Sequence, residues 1–61
     1  MDRSDWQELA HLTARLDELR DQLEAAESES KIAMIYAVEE EIAATEAMRE
    51  RVFSRLQGTR H

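Results

Sequence analysis

Apolar residues in the first half of the chain step by three and four positions: Leu9, Leu12, Leu16, Leu19, Leu23 and Ala26. Because side chains are set ~100° apart around an α-helix, that spacing gathers them into one narrow stripe, the a and d positions of nearly three heptads. Ser4 followed by Gln7 reads as a capping-box start, and Asp2 and Asp5 suit the positive end of a helix dipole. A first helix is predicted from about Asp5 to Ala26. In the second half, Ile35, Val38, Ile42, Thr45, Arg49, Val52 and Leu56 keep the same rhythm, with Phe53 adjoining. Gly58 follows as a residue suited to the left-handed conformation that closes a helix, and Arg55 lies near the negative end. A second helix is predicted from Lys31 to Gln57, with residues 58–61 as a frayed tail. Ile32, Met34, Tyr36 and Met48 widen its apolar arc on both flanks, so it is expected to be the more central helix.

Whether the chain turns between these helices is decided by phase. Leu23 and Ile35 are twelve residues apart. In one straight helix the stripe would therefore swing by about 120° between the halves. Keeping the first register instead runs through Ser30, Ala33, Ala37, Glu40, Ala44 and Ala47, a thin alanine line interrupted by a glutamate. A turn over about Glu27 to Lys31 removes the mismatch, because each stripe then faces the other. Ser28 or Ser30 is expected to cap the second helix. Local chemistry opposes the turn: the segment has neither glycine nor proline, and Glu27 and Lys31 stand at the spacing of a continuing helix. The predicted fold is all-α, an antiparallel helical hairpin that pairs into a four-helix bundle; the alternative is a single long helix in a coiled coil. With the turn centred on Ser28 and Glu29, Leu23 faces Ile35, Leu16 faces Ile42, Leu9 faces Arg49, and Trp6 lies near Val52 and Phe53.

Size makes the pairing matter. A chain of 61 residues buries only about 60% of the surface its unfolded form exposes, and such domains rely on a disulfide, a metal or a partner. The sequence contains no cysteine, which leaves association as the expected support, first with a second copy and next with another protein. Fourteen acidic against eight basic residues give a formal net charge of -6. That charge repels phosphate backbones and anionic lipid, so nucleic acid and membrane are poor partners. No apolar run approaches the ~20 residues that span a bilayer. The first nine residues do not resemble a secretory leader, and a cytoplasmic protein is expected.

Candidate chemistry is sparse. Glu8 and His11 stand at Glu-x-x-His spacing, which puts a carboxylate and an imidazole on one helix face, yet they flank the leucine stripe rather than point into a core. Glu39, Glu40 and Glu41 fan over three sides of a helix and read as solvated surface. No nucleophile constellation or glycine-rich phosphate loop is present, so no enzyme activity, cofactor or metal is expected. Asp17 with Arg20 and Arg20 with Glu24 are predicted to pair along the outer face of the first helix. Arg49 interrupts the second stripe; it either selects a register or, as the simpler reading has it, carries its charge to the rim. The expected interaction surface lies on the second helix. Its flanks supply Ile32, Met34, Tyr36, Met48 and Phe53, and its stripe supplies Ile35, Val38, Ile42, Arg49, Val52 and Leu56. A protein-interaction or regulatory module follows, with an acidic inhibitor that mimics nucleic acid as a second class and a metal-binding bundle as a distant third.

Overall fold

A computed structural model describes residues 3–58 as two antiparallel helices, α1 (Arg3–Ser28) and α2 (Ile32–Gly58), packed against each other as a hairpin. α1 runs two residues past each predicted end, while α2 begins one residue later and ends one residue later than predicted; of the predicted tail 58–61, Gly58 belongs to α2 and 59–61 lie outside the described residues. The stripes meet as the phase argument requires. Leu16, Leu19 and Ala26 of α1 and Val38 and Val52 of α2 are buried. Leu9, Leu12, Leu23, Ile35, Ile42, Thr45 and Leu56 are half-buried along the same seam. Three of the five buried residues belong to α1 and two to α2; in a single seam neither element can surround the other.

The turn takes three residues and resolves the conflict between helix propensity and phase. Ser30 adopts φ 58°, the left-handed region that a Cβ makes costly for residues other than glycine. Around it the Lys31 N–H donates to the Ala26 carbonyl at 3.0 Å and the Ser30 N–H to the Glu27 carbonyl at 3.1 Å. These are the two bonds of a Schellman closure, with Ser30 in the position glycine ordinarily holds. The predicted caps are corrected accordingly. Ser28 is the last residue of α1 and Ser30 closes α1. The residue that opens α2 is Lys31, whose carbonyl accepts the first helical bond, from the Ile35 N–H, at 2.9 Å. Lys31 pairs with Glu29 at 3.0 Å rather than with Glu27, since the turn breaks the helical spacing between residues 27 and 31.

Both outer ends also differ from the sequence reading. Gly58 does not take a positive φ and stays in the last turn of α2. Ser4 lies inside α1, so it is not the residue that precedes the helix; that position, together with Asp2, falls outside the described residues. No helix among the described residues is long and apolar enough to cross a membrane.

Candidate interaction surface

The eleven residues expected at an interface divide into two sets. Val38 and Val52 are buried, and Ile35, Ile42 and Leu56 half-buried, all between α1 and α2; their apolar area is already used by the hairpin. Ile32, Met34, Tyr36, Met48 and Phe53 stay 44–68% exposed, as does Trp6 of α1 at 51%. Arg49 is also exposed, and its Nε donates to Thr13 Oγ1 at 3.3 Å. The nearest candidate acids, Glu46 one turn back and Asp5 and Glu8 across the hairpin, are engaged elsewhere, Glu46 by Arg20 and Asp5 and Glu8 by Arg55. Thr13 in turn donates to the Leu9 carbonyl at 2.9 Å. The guanidinium thus reaches the rim and leaves its aliphatic stem along the seam.

Ion pairs define the two open sides of the hairpin. On one side Arg15 joins Glu41 at 3.0 Å across the seam and Glu18 at 3.4 Å along α1. At the open end of the same side, Arg55 reaches Glu8 at 3.3 Å and Asp5 at 3.1 Å. On the other side Arg20 joins Glu46 at 3.2 Å, in place of the predicted neighbours Asp17 and Glu24. All these arginines are about half exposed, so each pair contributes ~0–1 kcal/mol and serves mainly to hold register. The cross-seam pairs were absent from the sequence reading because they join residues 26 to 50 positions apart. The predicted antiparallel register sets Arg15 opposite Ala43 and Asp5 opposite Phe53, two positions from the observed partners Glu41 and Arg55, and it places Arg20 eight positions from Glu46.

Helical geometry, at 100° per residue, sorts the exposed apolar groups onto these sides. Met34 and Met48 fall with Arg15–Glu41 and Arg55–Glu8; a shallow hollow on that side is lined by Glu8, Met48, Arg51 and Arg55. Trp6, Ile32, Tyr36 and Phe53 fall with Arg20–Glu46, where a second hollow is lined by Arg49, Glu50 and Phe53. Charge divides unevenly. The methionine side sets Arg15, Arg51 and Arg55 against Asp5, Glu8, Glu18 and Glu41 and is nearly balanced, whereas the aromatic side sets only Arg20 and Arg49 against Asp17, Glu24, Glu39, Glu46 and Glu50.

Glu8 is held by Arg55, and among the described residues no group of three or more His, Cys, Asp or Glu side chains is placed to hold a metal ion. Next to His11 lies an open hollow of about 460 Å³ shared with Ser4, Gln7, Glu8 and Leu12. All of its lining residues belong to the first turns of α1. Comparison with family models, with curated proteins and with solved structures finds no match for this chain.

Proposed function

We propose that the chain is a small self-associating protein-interaction module. The observation that carries this reading is that the hairpin is a single layer, 48 × 15 × 11 Å in its Cα extents, whereas stable domains pack two or more layers around a shared core. Its radius of gyration of 14.3 Å compares with ~10.5 Å for a compact domain of this length and ~13.7 Å for one of twice the length. Surface area agrees. The chain exposes 4930 Å² against ~4,100 Å² for a compact monomer of 7.1 kDa. The excess, roughly 800 Å², is what one partner contributes to a standard interface. Six large apolar side chains stand in that exposed surface. Analytical ultracentrifugation over a wide concentration range tests the reading: a mass rising toward twice 7.1 kDa with retained helicity supports it, and a monomer at every concentration refutes it.

A second reading, an acidic inhibitor that occupies a basic groove, draws on the five acids of the aromatic side and the net charge of -6. Binding to a basic protein that weakens steeply with added salt is its expected signature.

A further inference from the structure

We infer that the second copy seats on the methionine side of the hairpin, antiparallel, with Met34 of each protomer against Met48 of the other and Glu41 beside the two-fold axis. This inference rests on the self-association proposed above and adds which side is used and in what register.

The two sides differ in what happens when each meets a copy of itself. A two-fold interface is isologous, so residue i meets j on the partner and j meets i. Along the methionine side of α2, Met34, Glu41 and Met48 are separated by seven residues each, two turns of helix, and therefore stay on one line. Placing the axis at Glu41 brings the two methionines into reciprocal contact, and the half-exposed thioethers, 51% and 44%, adapt to such a surface. Ala37 and Ala44 lie between them on the same side and let the helices approach closely. The two Glu41 carboxylates that meet at the axis each already hold an Arg15 guanidinium at 3.0 Å. Two arginines and two glutamates form a neutral centre.

The aromatic side offers more apolar area but the wrong centre. Ile32, Glu39, Glu46 and Phe53 follow one another there at intervals of seven. Pairing Ile32 with Phe53 of a second copy sets Glu39 against Glu46 twice over; each Glu46 holds an Arg20 at 3.2 Å, but the two Glu39 carboxylates are added to a band already three charges negative in each protomer. Like charges facing each other oppose such a pairing. In that register charge disfavours a second copy on the side that hydrophobicity alone would choose.

The register also bounds the contact. With Glu41 at the axis, residues 32–50 of α2 overlap their counterparts, about 28 Å of helix. Across a hairpin 15 Å wide, that gives a flat footprint of ~430 Å² per protomer, about half of what a standard stable interface takes from each partner and in the range of weak, transient contacts. Roughly half of the surplus surface is covered, and a weak, concentration-dependent dimer is expected.

Two double variants test the register, and a third tests the side. Met34→Glu/Met48→Glu places like charges at both reciprocal contacts and is expected to lower the association constant ~100-fold or more. Met34→Lys/Met48→Glu places opposite charges there and is expected to pair at least ten times more tightly than the first variant. Within one chain the two positions are ~21 Å apart, so no contact inside the hairpin can produce that rescue. Tyr36→Glu/Phe53→Glu is expected to leave association unchanged. All four positions are exposed, and circular dichroism confirms that each hairpin is intact. If the two methionine variants are weakened equally, the register is wrong. Should the wild type pair while only the Tyr36/Phe53 variant separates, the side is wrong and self-association stands. A monomeric wild type overturns self-association itself.

Discussion

Replacing Ser30 by glycine should stabilise the protein, and the sign of the effect tests the hairpin directly. Ser30 sits at φ 58°, where a residue with a Cβ carries a penalty of ~1–2 kcal/mol. Glycine removes that penalty but loses ~0.5–1 kcal/mol through the greater freedom of its unfolded chain. The serine hydroxyl makes none of the bonds that close the turn, which are formed by backbone groups. A net gain of ~0.5–1 kcal/mol is expected, or about 2–8 °C in melting temperature for a domain of this size. Were residues 28–32 part of one continuous helix, the same change would put glycine in a helix interior and cost about 0.5 kcal/mol. Ser30→Val is the companion measurement: a β-branched residue in the left-handed region should cost more than 1 kcal/mol, yet would be nearly neutral in a straight helix. Thermal melts followed at 222 nm, at one fixed protein concentration so that association does not shift the midpoint, read both. A lower melting temperature for Ser30→Gly, with Ser30→Val unchanged, would refute the turn.

Other substitutions probe the seam and its edges. Leu19→Ala empties a site that is 1% exposed and should cost ~3–5 kcal/mol, enough to unfold a hairpin this small; Ile42→Ala, at a half-buried position, should cost clearly less, and denaturant titration ranks the two. Arg55→Ala releases Asp5 and Glu8 and should cost ~0.5–1 kcal/mol at low salt and almost nothing in 1 M salt, which melts at two ionic strengths will show. Arg49→Leu should be neutral or stabilising by up to ~1 kcal/mol, because Arg49 holds a hydroxyl rather than a buried acid and leucine would complete the stripe. A loss of more than 1 kcal/mol there would mean that Arg49 has a structural role beyond the rim.

The long-range pattern was more legible than the local chemistry. Every α1 stripe residue from Leu9 to Ala26, and every α2 stripe residue except Arg49, is buried or half-buried between the helices. Apolar period and phase suffice for this, since they are arithmetic on the sequence. The caps at the turn were misread for one reason. Serine is a good cap by propensity, so Ser28 and Ser30 were given that role. The antiparallel geometry required a left-handed residue at position 30 instead, and a polar, unbranched side chain is among those that tolerate it at modest cost. The exposed members of the candidate surface were recognisable as flanks of the stripe, but not their division into a nearly neutral and a strongly acidic side. That division depends on where α1 contributes its charges once the hairpin closes.

By itself, then, the sequence determined that the chain is two amphipathic helices whose stripes cannot share one straight axis, because the rotation per residue is set by backbone geometry regardless of context. Tertiary structure decided what a one-dimensional pattern cannot contain. It chose Ser30 as the residue that bears the strain of the turn, Arg15, Arg20 and Arg55 as the ties across the seam, and Arg49 as a side chain at the rim. Each of those outcomes depends on distances between residues remote in the chain, and such distances exist only after the two stripes have closed on each other.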